Sequence, residues 1–460
     1  MVEIVLKKIT ERMIQRFNGN RLPRIDPVFH KAEKRELGLY IHIPFCKSFC
    51  SYCPFRKFPY NEKRVVSYIE AVKGEIDLYK GRLEETEIGD IYFGGGTPSL
   101  VPEGLVELSR HLKSRFPVKG ALGFEANPAD ISGNDSICRK LRQAGFDRVG
   151  IGVQSLSDDV LKRAHCRHNS SHSIRAIKRL MGEGFHLSVD LLFGLPGQTF
   201  DDVITGIKKL VELDVPQICA YPVIIPPRSK LNESIKNGMQ VPGRKDKKKT
   251  YLAIIDYMSQ KGYNTGVWQF TRKDVGRDYA TCARSDESIG LGVSAFSIMS
   301  PYMYINTYLL DDYIKAIAEK RLPIAAGIDL RFKSDSSVKD SRDCDIDEKL
   351  SNKHKKDTVE HLAEIKSVMS SIARRGETTK KNFEKFYRIT SSHLSFKSTL
   401  KLLKILGIVT IKGDLIALSK KGNYYFSVMA ENFMPVPGKY GDEVLFSEPF
   451  PEEFVFRFIK

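Results

Sequence analysis

Large parts of the usual repertoire are missing from this 460-residue chain. It has one tryptophan and eight cysteines, and no apolar segment approaches the roughly 18 residues needed to span a bilayer. No N-terminal run resembles the apolar core of a secretory signal, so the cysteines are expected to be reduced thiols of a cytoplasmic protein. Charge is not scarce but is spread out. Of a net +17, residues 331–460 hold 24 Lys and Arg against 18 Asp and Glu, a surplus of 6, and the remainder falls on residues 1–330. A diffuse excess suits an anionic substrate as well as it suits nucleic acid, so charge alone does not assign a partner. With 42% hydrophobic residues, two or three domains with real cores are expected.

The scarce cysteines are not scattered. Cys46, Cys50 and Cys53 fall within eight residues, spaced C-x3-C-x2-C, directly after the apolar run Tyr40 to Phe45. No other cysteine lies within eighty residues. Thiolates hold iron-sulfur clusters, and a [4Fe-4S] cube normally takes four, so three would leave one iron open to another ligand. A zinc finger would require a second ligand pair nearby, and a disulfide would strand one thiol.

From residue 39 short apolar runs alternate with amphipathic segments. Leu39 to Ile43, Asp90 to Phe93, Gly123 to Ala126, Val149 to Val153, Leu187 to Phe193 and Gln217 to Val223 read as six buried strands. The helical patterns between them include Val65, Ile69, Val72, Ile76 and Tyr79 on one face. Six βα units predict an α/β fold, a partial (βα)6 TIM-like barrel, with its chemistry at the C-terminal ends of the strands. The cysteines follow the first strand. The other strand ends carry Gly94-Gly95-Gly96-Thr97-Pro98, Glu125-Ala-Asn-Pro128, Gln154 and Asp190. Polar groups recurring at one end of apolar strands point to a ligand site.

The C-x3-C-x2-C spacing resembles the signature of radical S-adenosylmethionine (SAM) enzymes, and YIHIPFC narrows the resemblance to the oxygen-independent coproporphyrinogen III oxidase-like family. GGGTP, EANP, GVQS, DLLFGLPGQT and Ile289 to Ser297 resemble motifs of that family, from about residue 38 to about 320. The resemblance implies that Cys46, Cys50 and Cys53 hold a [4Fe-4S] cluster whose open iron chelates SAM. One electron would then yield a 5′-deoxyadenosyl radical. Tyr40, Gly95, Glu125 and Phe296 would contact that SAM. Members with a second SAM hold it through positions matching Tyr52, Gly96, Thr97, Gln154, Asp190 and an arginine. Here the arginine position is Cys166, with Arg167 one residue on as the replacement expected by a shift.

The expected activity is a radical SAM oxidoreductase acting on a tetrapyrrole, like coproporphyrinogen dehydrogenase. Alternatives are a radical SAM methyltransferase acting on haem or another substrate, and a haem-binding chaperone. Classical oxidases carry a further cysteine where this chain has Phe55, and the chaperone branch carries HNxxYW where it has Asp278 to Ala283. Trp268-Gln-Phe-Thr-Arg272 is closer to the enzymatic branch. Arg56 and Lys57 with Phe55 and Phe58, and Arg272 with Trp268 and Phe270, are the candidates for a wide anionic substrate. A low-potential donor such as flavodoxin or ferredoxin is the expected partner, with neither a membrane nor nucleic acid.

Cys138 and Cys219 read as core residues, and His165, Cys166, His168 and His172 as a polar loop near the substrate. Residues 1–38 read as a basic, mostly helical lead-in, 39–327 as the barrel and its extension, and 328–358 as a charged linker or insertion. Over 359–460, helices at Val359 to Ala373 and Leu394 to Ile405 precede a hairpin at Ile408 to Ile411 and Leu415 to Leu418. This predicts a winged-helix-like α+β domain, which the family resemblance implies covers the barrel mouth. His393 to Thr399 lacks the Arg-rich face that phosphate contacts require.

Overall fold

The computed structural model describes residues 21–23, 36–83, 86–225, 229–276, 287–299, 302–329, 371–372, 375–384, 396–433, 448, 450 and 453–455. Most of the lead-in, the linker beyond Asp329, most of the helix over Val359 to Ala373, and Asp278 to Ala283 lie outside the described residues.

The six expected strands form as β1 (Glu36–Ile43), β2 (Glu87–Gly95), β3 (Leu122–Ala126), β4 (Phe146–Gln154), β5 (His186–Phe193) and β6 (Gln217–Pro222). They pair in chain order and all in parallel. Helices α1 (Glu62–Lys80), α2 (Pro102–Arg115), α3 (Pro128–Gly133), α4 (Asp135–Gln143), α5 (Asp158–Arg163), α6 (Ser170–Gly182) and α7 (Phe200–Glu212) connect them. Each begins where the local chemistry allows: Asn61 caps α1 through Arg64 N, and Thr199 with Asp202 makes a capping box on α7. The buried face of α1 contains the five residues whose spacing predicted it, together with Tyr68 and Glu75.

Alternation along the strands separates two environments. On one face Ile41, Ile43, Ile91, Phe93, Phe124, Val149, Ile151, Val189 and Leu191 join the core under the helices. Phe146 centres it, edge-on to Phe124 at 5.7 Å and tilted against Phe93 at 5.4 Å. On the other face the register sets Tyr40, His42, Tyr92, Gly94, Gly123, Glu125, Gly150, Gly152 and Asp190, and Gln154 follows at the strand end past a register shift. That face is polar and glycine-rich, which leaves room inside the curved sheet.

The sheet runs beyond six strands. After α8 (Lys230–Lys236) and α9 (Arg244–Gln260), β7 (Tyr263–Thr265) and β8 (Gln269–Arg272) form an antiparallel hairpin, of which β8 pairs antiparallel with β6. At the other edge β9 (Ser288–Leu291) pairs in parallel with β1. Antiparallel β10 (Phe296–Met299), β11 (Tyr302–Asn306) and β12 (Ile324–Asp329) follow, with α10 (Leu310–Ala318) between the last two. The result is an open twelve-stranded sheet with a parallel barrel-like centre.

Towards the C-terminus β13 (Glu377–Thr379), α11 (Phe396–Ile405), β14 (Val409–Lys412), β15 (Leu415–Leu418) and α12 (Lys420–Phe433) form a winged-helix-like unit. Leu400, Ile408, Val409 and Ile416 make its own small core. Its last helix docks on the barrel. Trp268 Nε1 donates to Ser427 Oγ at 2.7 Å, Lys420 pairs with Asp256, and Tyr251 packs on Tyr424. No helix among the described residues is long and apolar enough to cross a membrane.

Candidate active site at the barrel mouth

The chain leaves β1 at Ile43, turns through Pro44 and pairs Phe45–Cys46 in parallel with Phe58–Pro59. Phe58 N donates to Pro44 O at 2.7 Å and Tyr60 N to Cys46 O at 2.9 Å, which closes residues 46 to 59 into a collar. Phe45 anchors it, fully buried and edge-on to Tyr68. The far side is pinned as well: Ser51 N donates to Ala164 O at 3.1 Å and Leu231 N to Ser51 O at 3.0 Å. All three cysteines sit on this collar, Cys46 buried, Cys50 and Cys53 half-buried.

Their environments differ. Cys46 Sγ lies 3.4 Å from Thr97 Oγ1, yet burial pushes its thiol up to about 11. Burial also raises Cys53. Cys50 is drawn down to about 6 by hydrogen bonding from Cys166 above all, and from Tyr52. The positive charge of Lys57, whose Nζ donates to Cys53 O at 3.1 Å, favours the thiolate at each of the three. Among the described residues no three His, Cys, Asp or Glu side chains converge on a point one metal ion could fill. Three soft thiols on one collar, with a cation beside them, are a donor set that suits an iron-sulfur cluster.

Behind the collar Tyr40 Oη donates to His42 Nδ1 at 3.1 Å, and His42 Nε2 donates to Arg56 O at 3.1 Å. Burial lowers His42 to about 4, so the ring is neutral and this one tautomer satisfies both partners. His42 was not singled out in the sequence. Its signal was a polar residue two positions from Tyr40 in an apolar strand.

The glycine triplet is explained by close packing. A Cβ at Gly94 would meet the Tyr40 ring at 2.7 Å, at Gly95 (φ +115°) the His42 ring at 2.5 Å, and at Gly96 the backbone of Phe45 at 2.8 Å. Freed of a side chain, Gly95 N donates to Glu125 Oε2 at 3.1 Å. Burial pushes Glu125 up to about 7, and pushes Asp190 to about 7 with the charge of Glu125 adding to it. Only Gly150 and Gly152 of β4 stand between these carboxylates in the register. Gln154, at the end of that strand, takes φ +69°, and its buried Oε1 has no hydrogen-bond partner. Phe296 opens β10 directly after β9, so it lies at the same end of the sheet, with its side chain 37% exposed.

Other expected residues are placed elsewhere. Arg167 pairs with Asp130 of α3, which also accepts from Ser99 Oγ at 2.8 Å. The position that faces the collar is Cys166, 3.8 Å from Tyr52 Oη. Arg272 is a correction too: β8 runs antiparallel to β6, and Thr271 pairs with Gln217 at the start of that strand. This sets Arg272 at the end opposite the mouth, bound to Asp274 and Asp214 O, while Phe270 is fully buried. Arg56 stacks over Phe58 at 4.8 Å and donates to Tyr308 O at 3.0 Å, and Phe55 is 47% exposed beside it. His168 Nε2 donates to Val153 O and His172 caps α6, so these histidines serve local structure. Cys138 and Cys219 are buried.

Residues 40–216 match the family model of the radical SAM superfamily. The Heme chaperone HemW of Lactococcus lactis is 28% identical over 295 residues, 62% of this chain and 75% of that protein. The oxygen-independent coproporphyrinogen III oxidase of Escherichia coli is 24% identical over 327 residues, 65% of this chain and 69% of that protein. The solved structure of the Escherichia coli coproporphyrinogen III oxidase HemN superposes with a TM-score of 0.69 at 19% identity, covering 92% of this chain and 99% of that one. This last likeness is one of fold.

Proposed function

From its membership of the radical SAM superfamily, within the oxygen-independent coproporphyrinogen III oxidase-like family to which the chain belongs, we propose an enzyme that acts on a tetrapyrrole. Its cofactors are a [4Fe-4S] cluster and SAM, which together supply a 5′-deoxyadenosyl radical when an electron reaches the cluster. The observation that carries the reading is the collar of Cys46, Cys50 and Cys53 at the same end of the sheet as Glu125 and Asp190.

In this reading the three thiolates hold the cluster, with Lys57 favouring their charged form. Tyr40, Gly95, Glu125 and Phe296 surround the SAM on it. The Gly95 N–H orients Glu125, whose carboxylate accepts from the ligand's ammonium once ionised. Tyr52, Gly96, Thr97, Gln154 and Asp190 form the adjoining half of the site, where the unpaired Gln154 Oε1 is ready to accept a donor. Arg167 takes no part, because Asp130 holds it. A low-potential flavodoxin or ferredoxin supplies the electron.

The likeness to HemW favours one second reading, a haem-binding chaperone. The reduced protein is incubated anaerobically with SAM and either coproporphyrinogen III or haem, and the products are identified by mass. Loss of two carboxyl groups marks the oxidase, and a methyl gain with S-adenosylhomocysteine released marks the methyltransferase. Tight haem binding with neither product favours the chaperone. If neither tetrapyrrole binds or changes, the substrate class is contradicted.

A further inference from the structure

A fourth thiol stands beside the collar. Helix α5 ends at Arg163, and His165 takes a left-handed φ of +56°, so the chain reverses and carries Cys166 round to the collar. Cys166 N donates to Leu161 O at 2.9 Å and His165 N to Lys162 O at 3.1 Å, the paired bonds of a Schellman motif, which fix this turn on its helix. The collar is tied to the same turn twice: Ser51 N donates to Ala164 O at 3.1 Å, and Ser51 Oγ donates to that oxygen at 3.3 Å. Cys50 and Cys166 therefore flank a junction between two segments some 113 residues apart in the chain.

Three side chains meet at that junction. Tyr52 Oη lies 3.8 Å from Cys166 Sγ, and Cys166 and Tyr52 both hydrogen-bond the Cys50 sulfur. Cys46 is turned instead to Thr97 Oγ1 at 3.4 Å. Cys50 and Cys166 are each half-buried, so a small reagent reaches them from solvent. Two thiols in contact, on backbones already joined by direct hydrogen bonds, need no large movement to meet the narrow geometry of a sulfur–sulfur bond.

We propose that Cys50 and Cys166 form a reversible disulfide in the cluster-free chain, which closes the collar to iron until it is reduced. The oxidant is a small disulfide of the glutathione class. Cys50 Sγ attacks one of its sulfurs and releases one glutathione thiolate; Cys166 Sγ then attacks Cys50 Sγ in the mixed disulfide and releases the second. The two thiol protons pass to the two leaving thiolates, so two electrons move from the chain to the glutathione disulfide and two glutathiones depart. Iron on Cys50 and the disulfide exclude each other, because both use the same sulfur. That exclusion rests on the reading of Cys50 as a cluster ligand, whereas the disulfide itself does not.

The full-length protein, cluster-free and cluster-loaded, is treated anaerobically with glutathione disulfide, its remaining thiols are alkylated, and its unreduced peptides are mapped by mass. We expect a linked peptide joining Cys50 to Cys166 from the cluster-free chain and none from the cluster-loaded one. Cys166→Ser should stop at the mixed disulfide of Cys50 with glutathione, and Cys166→Ala serves if the serine variant fails to fold. Cys53→Ser should still give the linked peptide. The oxidised wild type should lose iron loading and regain it on treatment with a dithiol. A linked peptide with iron loading retained would leave the disulfide standing and overturn Cys50 as a ligand, and with it the closure. Absence of the linked peptide, Cys50 joined to any other cysteine, or a linked peptide formed equally in the cluster-loaded chain overturns the proposal, while iron loading of the untreated chain keeps the ligand reading.

Discussion

Glu75 is a fully buried carboxyl group held by three hydrogen-bond donors. It lies on α1 with no solvent exposure, and its carboxylate accepts from Gly292 N at 2.7 Å, Tyr313 Oη at 2.6 Å and Asn306 Nδ2 at 2.8 Å. Beside it Tyr68 Oη donates to His42 O at 2.7 Å and accepts from Val293 N at 3.0 Å. One helix thus holds both the strand that enters the cysteine collar and the turn that leads to Phe296. Burial raises Glu75 from 4.5 to about 7 against the pull of its three donors, while Tyr68, Tyr79 and Tyr313 are held neutral. The sign follows: stability from the raised group is fully present below pH 4.5 and is lost as pH rises through 7. At about 1.4 kcal/mol per pH unit, that loss is about 3 kcal/mol relative to Glu75→Gln, which cannot ionise. Glu75→Ala leaves three buried donors unpaired and should cost about 3–5 kcal/mol. Urea unfolding at pH 5, 6, 7 and 8 measures both. Parallel pH curves for wild type and Glu75→Gln, or a cost below about 1 kcal/mol for Glu75→Ala, would refute the reasoning.

Two further outcomes bear on the mouth. Anaerobic reconstitution should load about four irons per chain into wild type and into Cys138→Ala, and iron analysis should find the cluster lost in Cys46→Ala, Cys50→Ala and Cys53→Ala. Glu125 is raised to about 7, so its acceptor form grows as pH rises through that value. SAM binding, read by calorimetry on the cluster-loaded protein, should tighten from pH 6 to 8 in wild type. In Glu125→Gln it should be about tenfold weaker and flat with pH.

The barrel was legible because burial on both faces leaves its mark on parallel strands, and all six central runs became strands within a few residues of their expected ends. The strand-end rule then brought the cysteines, Glu125, Gln154 and Asp190 to one end of the sheet. What escaped depended on direction and phase. β9 is four residues with a glycine and pairs with β1 across some 250 residues of chain, a partnership no local pattern announces. Arg272 follows an aromatic run that suggested a substrate wall, but the antiparallel sense of β8 carries it to the far end. Arg167 missed by one residue, since Cys166 faces the collar and its neighbour faces α3. Glu75 sat unnoticed on an amphipathic helix because its acceptors' partners are more than 200 residues away in sequence.

The central claim is that the cysteine collar and the polar strand ends form a radical SAM site. The most direct test is 5′-deoxyadenosine released from SAM by the anaerobically reconstituted chain under a strong reductant, with Cys50→Ala run in parallel. The account predicts 5′-deoxyadenosine from wild type and none from the variant. No product from cluster-loaded, reduced wild type, or equal product from both, would contradict it.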